Sequence, residues 1–197
     1  RLHHLEDRLN ALGLSKQTHL AREGQRAPLF LTPQFQSLGP VPEGTSIDFF
    51  LSLRSPYSAI SCAKLFPWAK ANGVQINLRY VLPMVMRGLP VPAEKRKYIS
   101  LDAAREAFVQ GVPFGRLNDP VGKPTERGLA LIPFAQMHEL AEDYVMSFMQ
   151  GVWSEGLDAG TDAHLQIIVE RCGLNWQAAK DILKSQTNEQ HWRAVAE

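Results

Sequence analysis

In residues 1–14 the apolar positions Leu2, Leu5, Leu9 and Leu12 fall at spacings of three and four, so one stripe of a short amphipathic helix is greasy and Gly13 can end it. From 15 to 46 the pattern dissolves. Pro28, Pro33, Pro40 and Pro42, with Gly24, Gly39 and Gly44, interrupt any regular element, and the stretch reads as a linker. Its Leu29, Phe30, Leu31 and Phe35 give it enough apolar surface to lie against a neighbour. Order resumes at Ile47. The run 47–53 is apolar on both faces and rich in phenylalanine, which predicts a strand buried inside a sheet. Ser55 and Pro56 then form a helix start, a capping hydroxyl followed by a proline at the first helical position, where no amide hydrogen is missed. The helix carries Ala59, Cys62, Ala63 and Phe66 on one face, can bend at Pro67 and stops near Asn72 and Gly73. Val74, Ile76, Leu78 and Tyr80 alternate with polar residues and predict a second strand. Strand, helix, strand in this length implies a parallel pair with a right-handed crossover.

Beyond Pro83 the periodicity is helical. It predicts helices over 98–110, from 132 to about 153 as one long element, over 162–172, over 176–183 and from 191 to 197. Two parallel strands leave faces and edges to cover, so the class is α/β with further strands expected beyond Glu197.

Composition narrows the function classes. With 21 Lys+Arg against 20 Asp+Glu the formal charge is +1, and 45% of residues are hydrophobic. Such a chain folds, and it carries no basic block for nucleic acid. No apolar run reaches the roughly 20 residues of a membrane helix. Its cysteines, Cys62 and Cys172, are far apart and make neither a metal pair nor a disulfide framework, so no metal is expected and a reducing, cytoplasmic setting is. The start at Arg1 rather than methionine suggests a piece of a longer protein.

The sharpest chemical candidate is Arg54-Ser55-Pro56-Tyr57-Ser58, where a strand meets a helix. A helix N-terminus attracts an anion and favours a thiolate. By spacing alone Ser55 reads first as a plain cap and Ser58 as a surface hydroxyl. No histidine (His3, His4, His19, His138, His164 or His191) forms a motif with Ser55, which argues against a serine hydrolase. Lys95-Arg96-Lys97-Tyr98, with Asp102 and Arg105 one turn apart, could meet an acidic ligand or simply form a solvated helix start. Cys62 reads as core. The turn-rich stretch from Asp119 to Pro124 reads as a loop and lacks the glycines of a phosphate loop.

Three ordered motifs now carry a resemblance. Ile47–Phe50 running into Ser55-Pro56-Tyr57-Ser58, then Lys97-Tyr98 with Asp102, Arg105 and Gly111-Val112-Pro113-Phe114, then Trp153-Ser154-Glu155-Gly156-Leu157-Asp158 resemble the thioredoxin-like DsbA superfamily. The branch is that of 2-hydroxychromene-2-carboxylate isomerases and kappa-class glutathione transferases, and the likeness covers about 47–197.

The resemblance implies a thioredoxin-like fold with an inserted all-helical domain. Its layout would be a terminal helix of a preceding repeat at 1–14, a linker at 15–46, the first half of the thioredoxin-like domain at 47–82, the helical insert at 83–186, and a returning helix at 187–197. Ser55 and Ser58 stand where redox relatives carry Cys-Pro-x-Cys, so this motif cannot exchange disulfides. It also implies a glutathione-dependent isomerase or transferase of a small aromatic or unsaturated acid. Ser55 would be the catalytic residue; Ser55, Pro56, Tyr57 and Lys95 would bind glutathione, and Tyr98 and Trp153 would line the substrate pocket. The asparagine that binds glutathione in the transferases has no counterpart here. Family members continue past the equivalent of Glu197 with a cis-proline turn, two strands and a loop for the γ-glutamyl group. Because residues 1–12 resemble the family's last helix, a tandem protein pairing with a homologous repeat, or a homodimer, is expected. The alternatives are an oxidoreductase relative whose redox cysteines lie outside this segment, and a non-catalytic scaffold repeat.

Overall fold

The computed structural model describes residues 9, 12–14 and 39–185. The helix expected at 191–197 and most of that at 1–14 lie outside them, as does the test of whether 1–12 packs on the strand pair. Contacts divide the chain into Arg1–Pro40 and Val41–Glu197. In the first unit the Leu14 amide donates to the Leu9 carbonyl at 2.9 Å, around Gly13 at φ 68°.

The second unit runs β1 (Ser46–Leu51), α1 (Pro56–Ala71), β2 (Gln75–Tyr80), a 3-10 turn (Met84–Arg87), α2 (Ala93–Gln110), α3 (Lys123–Ala130), α4 (Ile132–Met137), α5 (Ala141–Ser154), α6 (Asp162–Arg171) and α7 (Trp176–Ser185). β1 and β2 pair in parallel, Ser46 opposite Gln75 through Leu51 opposite Tyr80. α1 ends as its sequence dictates, with Asn72 at the cap and Gly73 in the left-handed region at φ 65°. The core gathers round α5. Tyr144, Val145, Phe148, Met149 and Val152 are fully buried there and join Leu51, Leu53, Cys62 and Phe66 from the strand and α1. α5 packs on α1, α4 and α6. The Tyr144 hydroxyl donates to the Gly128 carbonyl at 3.0 Å, which ties α5 to α3.

Four expectations are corrected. β1 is not buried on both faces among the described residues: Phe50 is 68% exposed, and Asp48 on the same face pairs with Arg79 of β2 at 3.1 Å. The long helix from 132 to 153 is two. His138 caps α4, Glu139 takes φ 59°, and the Leu140 amide closes back on the Ala135 carbonyl at 2.9 Å before α5 begins. Periodicity is blind to this reversal, because both helices present apolar faces to one core. The stretch read as a loop to Pro124 runs into α3, with Pro124 in its first turn, where its missing amide hydrogen costs nothing. α2 starts at Ala93, five residues before Tyr98, because Pro92 leads directly into it.

Candidate functional site

β1 delivers the chain to a tight turn anchored by Leu53, which is 1% exposed. The Ser55 amide donates to the Ser52 carbonyl at 2.9 Å, closing the turn. Ser55 itself is extended (φ −94°, ψ 117°), and its Oγ accepts from the Ser58 amide at 3.2 Å, the geometry of an N-cap. Pro56 follows, buried, as the first residue of α1. Ser58 is not the surface hydroxyl its spacing allowed. It is half-buried, and its Oγ accepts from the Ser52 amide at 3.3 Å, stapling the turn from the other side.

Around this helix start lies a cleft of about 350 Å³, walled by Ser52 and Arg54–Tyr57, by Val81–Met84 with Arg87 and Val91, by Arg96, Ile99 and Ser100, and by Leu117, Asp119 and Trp153. That is within the size range of small-ligand sites. Most of the wall is apolar. Trp153 is 7% exposed and stacks on Phe114, centroids 6.1 Å apart and planes 5° from parallel. Its Nε1, like Ser52 Oγ, is buried with no hydrogen-bond partner among the described residues.

Of the residues expected at a site, Ser55, Pro56, Tyr57 and Trp153 come together in this wall. Lys95 and Tyr98 lie exposed on α2, outside the lining residues, and Arg96 supplies the wall's cation from that helix. The Tyr57 hydroxyl donates to Asp102 Oδ2 at 2.9 Å, while Arg105 Nη2 donates to Oδ1 at 2.8 Å. The Arg105 hydrogen bond, with help from Tyr57, holds the Asp102 carboxyl below its ordinary range. Burial and the neighbouring carboxylate push the Tyr57 hydroxyl up to about 12, so it stays protonated at neutral pH. Sequence reasoning missed Arg54 and Asp119 as partners. Arg54 Nε and Nη2 donate to the two Asp119 carboxylate oxygens at 2.7 and 2.6 Å across a separation of 65 positions. No periodicity links a turn to a loop that distant; the one available signal was their charge.

The cysteines are not placed for redox work. Both are free thiols; Cys62 is fully buried, four residues after Ser58, and burial pushes its thiol up to about 12. Burial also raises that of half-buried Cys172. Cys62 should therefore resist a thiol reagent at neutral pH and be labelled at the rate of global unfolding. Rapid labelling in the native protein, read by peptide mass spectrometry, would contradict that. Among the described residues no cluster of three or more His, Cys, Asp or Glu could hold a metal, and no helix is long and apolar enough to cross a membrane.

The sequence profile of the DSBA-like thioredoxin domain matches residues 46–195. No curated protein sequence matches the chain. Among solved structures, a 2-hydroxychromene-2-carboxylate isomerase aligns at 19% identity over 77% of each chain with a TM-score of 0.63. The cytosolic disulfide reductase DsbM from Pseudomonas aeruginosa, with GSH, aligns at 17% identity over 76% of this chain and 77% of its own, TM-score 0.54. A probable DsbA oxidoreductase from Streptomyces coelicolor aligns at 15% identity over 76% and 72%, TM-score 0.55. These likenesses establish a thioredoxin-like fold, and with a profile match over most of its length the chain belongs to the DSBA-like thioredoxin-domain family.

Proposed function

We propose that the chain is a glutathione-dependent isomerase or transferase acting on a small aromatic or unsaturated acid, with Ser55 as the catalytic residue. The observation that carries this reading is the Ser55 hydroxyl at the helix start, which donates to no acceptor among the described residues. A serine hydroxyl has one hydrogen to donate and two lone pairs. As N-cap, Ser55 Oγ spends one lone pair on the Ser58 amide and keeps its hydrogen for an anion beside the helix start. The positive end of a 16-residue helix favours negative charge at the same point. Both features suit a thiolate.

The cleft fits the rest of glutathione and a substrate in kind. Arg87 and Arg96 can meet carboxylates, and the apolar wall can meet an aromatic body. Bound there, glutathione would supply a sulfur nucleophile that adds to an activated double bond and leaves again, or stays as a conjugate. The protein's own part is narrower. Ser55 holds the sulfur ionised, Pro56 and Tyr57 shape the floor, and the Asp102 bond fixes the Tyr57 ring. Two relatives of the same fold support the reading, an isomerase and a disulfide reductase with GSH. Serines at 55 and 58 favour the first chemistry, since neither forms a mixed disulfide. Pairing with a homologous repeat or a second copy, and a cytoplasmic setting for the two free thiols, belong to the same proposal.

The test is a pH titration of bound glutathione, followed by thiolate absorbance, in the wild type and in Ser55→Ala. The bound thiol should titrate below free glutathione. Loss of one hydrogen bond to a charged sulfur should raise its pKa by about one unit, while the fold loses only a cap, about 1 kcal/mol. Absence of saturable glutathione binding, or an unchanged pKa in the variant, would return the choice to an oxidoreductase with cysteines elsewhere or a scaffold repeat.

A further inference from the structure

Three arginines line the cleft, Arg54, Arg87 and Arg96, and they are not equivalent. Arg54 is engaged. Its Nε and Nη2 meet both oxygens of Asp119 at 2.7 and 2.6 Å, a fork-to-fork pair that uses the guanidinium edge a ligand carboxylate would otherwise take. Its side chain is 17% exposed, against 51% for Asp119. Among the described residues Arg87 and Arg96 take part in no ion pair.

Asp119 does not hang on a loose loop. The Gly115 amide donates to the Trp153 carbonyl at 3.1 Å and the Asn118 amide to the Val152 carbonyl at 2.8 Å, so the preceding segment lies along the end of α5. The backbone at Arg116 pairs there with that at Glu155 in an isolated parallel bridge. Glu155 is fixed in turn by Arg171 at 2.5 Å and Gln150 at 2.7 Å. On the far side the Thr125 hydroxyl, buried, donates to the Pro120 carbonyl. A braced segment thus brings one carboxylate to the residue immediately before Ser55.

We propose that Asp119 is a specificity-determining residue of this cleft: by occupying the guanidinium beside Ser55 it denies that group to an incoming carboxylate, which is left to Arg87 and Arg96. The acid end of a substrate is thereby kept off the end of the cleft where the sulfur would sit. This rests on reading the cleft as the substrate site, though not on glutathione being the thiol.

The experiment measures equilibrium binding of 2-naphthoate and of uncharged 2-naphthamide, without glutathione, to the full chain and three variants. The reading is the ratio of the two affinities, which a general loosening of the fold moves little. In Asp119→Asn the freed Arg54 should raise the ratio in favour of naphthoate about tenfold, the scale of one charge-assisted pair. In Arg54→Gln the unpaired Asp119 carboxylate should lower it. The double variant should return to within about twofold of wild type, since the two changes act through one contact. A ratio unmoved by both single changes, or as high in the double variant as in Asp119→Asn, overturns the proposal, as does a wild type that binds neither probe. Should Asp119→Asn fail to fold, Arg54→Gln still carries the sign. A wild type that binds naphthoate but fails the separate glutathione titration would end the thiol chemistry above while leaving this test readable.

Discussion

A Ser55→Cys, Ser58→Cys double variant should exchange disulfides with oxidised glutathione, a reaction that the wild-type serines cannot perform. The turn already supplies what such a motif needs. Position 55 is the cap of α1 and position 58 lies one turn on, its amide 3.2 Å from the Ser55 oxygen. A thiol at position 55 would receive that amide and the helix dipole, which lower a cysteine pKa by roughly one to five units in motifs of this kind. At neutral pH the thiolate fraction should rise at least about tenfold over an ordinary cysteine, with the second thiol placed to resolve the mixed disulfide. Cys62 is sealed in the core, and the half-buried Cys172, whose thiol burial pushes up, is accounted for by the wild type treated in the same way. Mass spectrometry of the glutathione adduct and of the intramolecular disulfide reads the outcome. Adduct formation no faster than at an exposed peptide cysteine would mean that the helix start does not stabilise sulfur anions, and the glutathione proposal would lose its main support.

Gly128→Ala should destabilise the fold by about 2 kcal/mol, a loss for which nothing in the local helix pattern prepares. A Cβ there would come within 2.6 Å of Phe148 Cε2 and 2.7 Å of Leu53 Cδ1. Both side chains are fully buried, so any shift that relieves the approach must displace their packed neighbours. Overpacking of this kind costs about 1–3 kcal/mol, and two such approaches argue for the upper end. Against it stands the gain of about 1 kcal/mol from alanine over glycine in a helix. For a chain of this size that net loss lowers Tm by roughly 4–8 °C. Because Leu53 lies two residues before Ser55, relief of the clash by moving Leu53 should also weaken ligand binding in the cleft. An unchanged or raised Tm would show that helix propensity outweighs the clash.

The strand, helix and strand at 46–80 were legible because each has a clear period and the punctuation between them, Ser55-Pro56 and Asn72-Gly73, is local chemistry. The break at Glu139 was not. It is made by one residue in a left-handed conformation within a stretch whose apolar positions run on unbroken. β1 misled for a related reason: Phe49 and Phe50 look alike in sequence, yet one packs edge-on against Phe66 and the other faces out beside Arg79. At the site, Ser55, Pro56, Tyr57 and Trp153 were found through motifs. Arg54 with Asp119, and Arg96 in the wall where Lys95 was expected, depend on how distant segments meet, which no one-dimensional pattern encodes.

That dependence has a dynamic side. Two polar seams join the α1 start to the rest of the cleft, Tyr57 to Asp102 and Arg54 to Asp119, across 45 and 65 positions of chain. Asp119 and Tyr57 are exposed, whereas the core round α5 is buried and apolar. Exposed polar links are weak beside buried apolar ones. Local opening at the α1 start therefore costs less free energy than opening of the core, and of the two links the two-point hold of Arg54 on Asp119 is the later to yield.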